Sequence, residues 1–405
     1  MTLNKQVSSS RQLSKRILQI QPSPTLVLNS KANNLKKQGH KILNFAVGEP
    51  DYPTAGIVVE KAIESLRKGR TKYTSAGGSI ELREAIAQKL TRDNQMSYTA
   101  DDIVCGIGAK EVLFHSFMSL LNDGDEVLLT APCWVSYCDQ IKGCGAVPVV
   151  VPFDKKQWHK DKVPFTLDQL EKHASEKTKI FVLNSPNNPS GYVLSRAQLE
   201  ELGAYLRKKD WWIISDEIYE YMAFDRPHLS LVQVCPDLKD RFLLIHGFSK
   251  GFAMTGWRVG YMAGPKSVTP TVRALQSQSS TCLPAFIEDA ATLAMSFGSK
   301  LMEKDVEKLK VRREIAIDAM NRLGGFEYIR PEGAYYILID VEKYLKPGES
   351  TIAFSEMLLE KFHLAMAPGE AFGVPGWIRL SYATDEQTIR AGIERLNEAF
   401  ISRRT

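Results

Sequence analysis

Through its middle the chain alternates short apolar runs with segments of helical period. Residues 102–105, 126–130, 147–151, 179–183, 211–215, 242–245 and 258–263 are apolar enough and short enough to read as strands. Between them, 112–121 and 196–208 carry a helical spacing, and the second opens with Ser195 and Gln198 at the interval of a capping box. The run Trp212-Ile213-Ile214 has no polar face, which predicts a strand covered on both sides. Strands alternating with helices predict an α/β architecture with a largely parallel sheet. From about residue 300 the texture changes. A long charged helix is followed by an extended stretch over 334–341, a helix near 352–362, then a strand and a terminal helix, which predicts a smaller α+β body.

A length of 405 residues exceeds what one hydrophobic core comfortably fills, so two domains are expected. Hydrophobic content of 44% with 24% charged residues is ordinary for a soluble globular protein. A net charge of +5 is small for this length and gives no warrant for nucleic-acid binding. The excess is uneven: Lys5, Arg11, Lys15, Arg16, Lys31, Lys36, Lys37 and Lys41 precede the first acidic residue, Glu49. That reads as a cationic face on the first helices, with an organelle transit peptide as the alternative. No apolar stretch reaches the length of a membrane span. The six cysteines form no C-x-x-C pair and read as reduced thiols of a cytoplasmic protein, and the scattered histidines give a metal site no support.

Chemistry concentrates around Lys250, in Gly247-Phe248-Ser249-Lys250-Gly251 and on to Met254-Thr255-Gly256-Trp257-Arg258-Val259-Gly260. A lysine amine is ordinarily protonated and inert. Desolvated or beside another cation it becomes a nucleophile able to form a Schiff base, and Arg258 offers a fixed cation eight residues on. Read alone, the segment is also compatible with a surface lysine in a loop. Gly106-Ile107-Gly108-Ala109-Lys110 follows a predicted strand and opens a helix, a geometry that lets backbone amides approach a phosphate. It is not a dinucleotide fingerprint, because Glu111 stands where the third glycine would be. Asp216 ends an apolar strand, where α/β sheets place ligands, although a loop cap is the simpler reading of that residue alone. Arg379, in Trp377-Ile378-Arg379-Leu380-Ser381-Tyr382, lies in an otherwise apolar or small strand and wants an anion, either a bound carboxylate or the acid of a structural salt bridge.

The Lys250 run resembles, at nearly every position, the lysine signature of class I/II aminotransferases, enzymes of fold type I that use pyridoxal 5′-phosphate. Gly48-Glu49-Pro50-Asp51, Tyr73-Thr74, Asn184-Ser185-Pro186-Asn187-Asn188-Pro189-Ser190-Gly191, Asp216-Glu217-Ile218-Tyr219 and Arg379-Leu380-Ser381-Tyr382 stand in the family's order. The likeness runs from about Leu13 to the last helix and is closest to the prokaryotic-type aspartate aminotransferase branch. It implies a large cofactor-binding domain over 50–300, with a mostly parallel sheet, and a small discontinuous domain of 1–49 and 301–405. It implies that Lys250 carries the cofactor and is the catalytic base. Gly108, Ala109, Lys110 and Arg258 would hold the phosphate, Asp216 the ring nitrogen, Tyr219 and Asn188 the phenolic oxygen, and Trp134 the ring face. Arg379 would bind the substrate α-carboxylate, with Gly48, Trp134 and Asn188 lining the substrate and Lys110 meeting a distal carboxylate. Tyr73 would reach the phosphate of a neighbouring subunit, making a homodimer with shared sites.

The implied reaction moves an amino group between an L-amino acid, aspartate first, and a 2-oxo acid by a ping-pong course, with glutamate and 2-oxoglutarate as partner pair. Aromatic amino-acid or prephenate transamination is the alternative. A pyridoxal-phosphate-dependent lyase uses the same residues, and a cofactor-sensing regulator domain would need a DNA-binding module before Gly48. Two departures stand out. Gly247 occupies the place where many relatives carry a phosphate-binding serine, and Gln21 the place where prephenate-active relatives carry lysine.

Overall fold

The computed structural model describes residues 13–156, 158 and 164–403. Lys5 and Arg11 of the basic N-terminus lie outside them. In chain order, β1 (Leu43–Asn44) precedes the strands of one central sheet: β2 (Ile103–Gly106), β3 (Glu126–Thr130), β4 (Val147–Val151), β5 (Thr178–Asn184), β6 (Trp212–Asp216), β7 (Phe242–Gly247) and β8 (Gly260–Ala263). Then follow β9 (Glu327–Ile329), β10 (Tyr336–Asp340), β11 (Leu364–Ala365), β12 (Ala367–Pro368) and β13 (Trp377–Ser381).

The central sheet has the order β2-β8-β7-β6-β5-β3-β4. Its pairs are parallel except those of β8, which runs antiparallel to both β2 and β7. Alternate residues feed two separate cores. Cys105, Leu128, Phe181, Ile213, Leu244 and Tyr261 pack on one face; Val104, Val127, Ile180, Ile214, Leu243, Ile245 and Met262 pack on the other. Both faces are therefore dry, as the unbroken apolar runs require.

A third core gathers Phe45 with the helices Glu303–Leu323, Thr351–Phe362 and Glu386–Ile401, and with β10 and β13. The antiparallel sheet β12-β13-β10-β9 and the short parallel pair β1–β11 divide their residues between this core and the first: Ile337, Ile339, Ile378, Leu380 and Leu364 pack here, Ile329, Leu338, Ala365 and Ala367 there. The predicted capping box is present: Ser195 accepts from the Gln198 backbone at 3.3 Å, and the Gln198 side chain accepts from the Ser195 N–H at 2.9 Å.

One strand is shorter than its apolar pattern predicts. Residues 258–263 read as a strand, but β8 begins at Gly260, because Arg258 adopts a left-handed φ of 57° that no strand accommodates. That turn aims the arginine at the loop after β2.

Candidate active site

Three strands end side by side at the carboxyl edge of the sheet. Asn184 of β5 is registered against Asp216 of β6, and Asp216 against Ile245 of β7. On the neighbouring strands a row of glycines crosses the same edge: Gly106 faces Gly260, which faces Gly247. The row leaves space where side chains would stand. A Cβ on Gly260 would lie 2.2 Å from the Ala109 nitrogen, so only glycine lets the start of the Ala109–Leu120 helix settle against β8. Gly108, the cap of that helix, takes a φ of 83°, and a Cβ there would meet the Arg258 guanidinium at 2.6 Å. Arg258 is fixed by donating to the carbonyls of Thr255 (2.9 Å) and Ile107 (3.4 Å). A helix N-terminus and a planar cation thus flank one small space, suited to a phosphate.

This edge opens into a cavity of about 460 Å³ whose lining includes Gly48, Ala109, Lys110, Trp134, Asn188, Asp216, Tyr219, Lys250, Arg258 and Arg379. Those are the expected site residues, apart from Gly108, which touches Arg258 behind the lining, and Tyr73. Tyr73 is 88% exposed and stands outside the cavity of its own chain.

Lys250 donates to the Gly48 carbonyl at 2.5 Å. Its side chain is half-buried by accessible surface, since it faces the cavity, yet protein atoms surround it on all other sides. That desolvation lowers its pKa; Arg379 lowers it further, while Tyr336, Glu49 and Asp216 pull the other way. Asp216 is buried, and burial raises its carboxyl pKa against the hydrogen bonds it accepts from Tyr137 (2.7 Å) and the Ile218 N–H (3.3 Å). Tyr219 shares a hydroxyl–hydroxyl hydrogen bond of 2.8 Å with Tyr336 and lies 3.5 Å from the Asn188 amide nitrogen. Arg379, 4% exposed, donates to Asn188 Oδ1 (2.9 Å) and the Ala46 carbonyl (2.7 Å), and its plane lies over Tyr336 at 4.2 Å. Its buried Nε has no acceptor. The Lys110 ammonium sits 4.9 Å over the Trp134 ring, with its pKa lowered by desolvation and then by Arg258 and Lys250.

Sequence reasoning missed three tyrosines. Tyr137 holds Asp216, Tyr336 holds Tyr219 and stacks on Arg379, and Tyr335 donates to the Gly48 carbonyl at 3.0 Å. Tyr137 had a usable signal: it lies three residues after Trp134, which places the two rings within 5.4 Å. Tyr335 and Tyr336 had none, since they lie far along the chain from the residues they support. Gly48 is explained by one of them, because a Cβ there would come 2.4 Å from the Tyr336 hydroxyl. The glycine at 247 is likewise sterically favoured, as a Cβ would lie 3.0 Å from the Gly260 Cα. Ser249, two residues on, lines the cavity instead.

Among the described residues no group of three or more His, Cys, Asp or Glu side chains could hold a metal ion. The charges of the cavity ask for anions. Lys110, Lys250, Arg258 and Arg379 line it, and none has a carboxylate within ion-pair distance among the described residues. The acids present are buried Asp216, engaged by Tyr137, and exposed Glu49, engaged by Thr255. A glycine-lined cradle beside an arginine, an amine freed of some of its proton affinity and a buried carboxylate fit the phosphate, aldehyde and ring nitrogen of pyridoxal phosphate.

Comparisons with known proteins agree. Residues 40–396 match the family model described as aminotransferase class I and II. The chain is 38% identical to the probable aspartate/prephenate aminotransferase of Aquifex aeolicus, over 96% of this chain and 98% of that protein. It is 37% identical to an aspartate aminotransferase of Thermotoga maritima, over 96% of this chain and all of that protein. The structure of the Thermus thermophilus aspartate aminotransferase with maleate superposes with a TM-score of 0.89 at 35% identity, covering 96% of this chain and 100% of that one. The chain belongs to the class I and II aminotransferase family, and is a pyridoxal-phosphate-dependent aminotransferase of fold type I.

Proposed function

We propose that the enzyme transfers the amino group of aspartate to 2-oxoglutarate, and of glutamate back to the matching 2-oxo acid, by ping-pong turnover. The single observation that carries this reading is the unbalanced positive charge of the cavity. A phosphate satisfies Arg258 and the Gly108–Ala109 backbone. An α-carboxylate satisfies Arg379, whose fork is buried, stacked and short of one acceptor. Lys110 then remains at the rim for a second carboxylate, which selects a dicarboxylic substrate. The Thermus thermophilus relative was solved with such an acid, maleate.

Bound pyridoxal phosphate supplies an electron sink for charge developing at the substrate α-carbon. The chain supplies the rest. Asp216, oriented by Tyr137, would pair the ring nitrogen, Tyr219 and Asn188 would bind the phenolic oxygen, and Trp134 would pack on the ring. Ser249 takes the place of the hydroxyl that Gly247 lacks. The Lys250 amine, with its pKa lowered, would carry the cofactor and, once free, would take the proton from the substrate α-carbon. Gly48 brings its backbone against the substrate. Tyr73 serves the site of a partner subunit in a cytoplasmic homodimer. Residues 50–300 form the large domain, and 1–49 with 301–405 the small one.

A donor panel with 2-oxoglutarate tests the assignment. Aspartate is expected to outrun phenylalanine, tyrosine and arogenate. Arg379→Leu is expected to lower kcat/KM for every donor by roughly 10²-fold, the scale of a lost charge-assisted pair of about 3 kcal/mol. Lys110→Ala is expected to lower the donor kcat/KM for aspartate, which carries a second carboxylate, and to leave that for phenylalanine and tyrosine unchanged. Faster turnover of an aromatic donor, with Lys110→Ala neutral, would overturn the aspartate assignment. Prephenate as acceptor is the second reading, favoured by the name of the Aquifex aeolicus relative, and it belongs in the same panel.

A further inference from the structure

Asp216-Glu217-Ile218-Tyr219-Glu220 contributes Asp216 and Tyr219 to the cavity, but its two glutamates turn away beneath it. Both are buried and both are held. Glu217 accepts from Ser215 (2.8 Å) and Ser230 (2.7 Å), and its other oxygen faces His228 Nε2 at 2.8 Å. Glu220 receives Lys89 Nζ on both oxygens, at 2.5 and 2.6 Å. Lys89 has no exposed surface and donates also to Asn94 at 2.7 Å. His246 Nε2 stands 3.0 Å from Glu220 Oε2, close to it but not aligned for a hydrogen bond. The other ring nitrogen of His246 accepts from the Gly247 N–H at 2.7 Å, and the ring stacks on Tyr261 at 5.3 Å.

Glu220 therefore joins three pieces of chain. They are the helix Ile80–Asn94, the turn directly after Tyr219, and β7 four residues before Lys250. We propose that Glu220, clamped by Lys89 and His246, is a positioning residue that fixes the Tyr219 hydroxyl relative to β7, the strand that leads to Lys250. A desolvated carboxylate tolerates few geometries, since each lost contact leaves an uncompensated charge in a dry interior. That makes it a stiffer anchor than the apolar packing around it. Lys89 and His246 hold its carboxyl well below the usual range despite burial, so the anchor stays charged. The proposal rests on the assignment of Tyr219 to the cofactor's phenolic oxygen.

A double-mutant cycle of Tyr219→Phe and Glu220→Gln tests it. The readouts are the pH midpoint of cofactor absorbance in the holoenzyme and the dissociation constant of pyridoxal phosphate from the apoprotein. A donated hydrogen bond favours the ionised oxygen, so Tyr219→Phe is expected to raise the midpoint. Glu220→Gln is expected to shift it the same way and to weaken cofactor binding. The double variant is expected to match Tyr219→Phe, because the two act through one hydroxyl. A native midpoint in Glu220→Gln, or a full additive shift in the double variant, overturns the proposal. No shift in Tyr219→Phe overturns the assignment of Tyr219 and the proposal with it. Should Glu220→Gln not fold, the neutral pair Lys89→Met with Glu220→Leu removes the charge without leaving a lone cation. There the melting temperature is expected to recover while the midpoint stays shifted, and a native midpoint again overturns the proposal.

Discussion

Lys250 carries a testable consequence of its surroundings even without cofactor. Desolvation lowers its pKa, so in the folded apoprotein the ammonium form is disfavoured relative to the unfolded chain. The cost to stability is complete below the folded-state pKa and fades as pH rises from there toward the unfolded value. Apo Lys250→Met is therefore expected to melt above the native apoprotein near neutral pH, with the difference narrowing toward alkaline pH. A difference that is constant or widens would contradict the desolvation account. At this scale much was legible. Lys250, Asp216, Arg258 and Arg379 each sat in a short run whose residue types matched a definite chemistry, and the cavity gathers all four. Tyr335, Tyr336 and Lys89 were illegible, because their contacts join distant segments and no local pattern marks a hydroxyl or an ammonium that will be buried.

Among elements, the row Gly106, Gly260 and Gly247 decides how closely the Ala109–Leu120 helix approaches the sheet. Gly260→Ala puts a methyl group against backbone rather than against a flexible side chain. It is expected to cost about 1–3 kcal/mol of stability by overpacking. Calorimetric titration is also expected to show at least tenfold weaker pyridoxal phosphate binding, because the helix N-terminus is displaced. Native affinity would mean that the cradle is not where the phosphate sits. Strand and helix identities followed from period and length: 126–130 and 147–151 match β3 and β4 to the residue. The end of 258–263 did not follow, since a backbone turn to positive φ at Arg258 leaves the apolar pattern unchanged. The antiparallel direction of β8 was equally silent, because direction depends on how the chain returns and not on which residues the strand contains.

For the whole molecule, exposure points outward from the single chain. Tyr73 is 88% exposed, and Leu13, Ile17, Leu18 and Leu26 are each more than half exposed. If Tyr73 serves a partner's site, as proposed above, a second chain covers it. Subunit mixing tests this. Chains carrying Tyr73→Ala and chains carrying Lys250→Ala are unfolded and refolded together. If Tyr73 acts across the interface, the hybrid regains one site of native cofactor affinity; if it acts within its own chain, no native-affinity site forms.

The account depends most on the attachment of pyridoxal phosphate at Lys250, and borohydride reduction of the reconstituted protein followed by peptide mass mapping examines it directly. The expected result is one pyridoxyl-modified residue, Lys250, with Lys110 and the other lysines unmodified. Modification at another lysine, or a protein that takes up no yellow cofactor, would contradict the assignment.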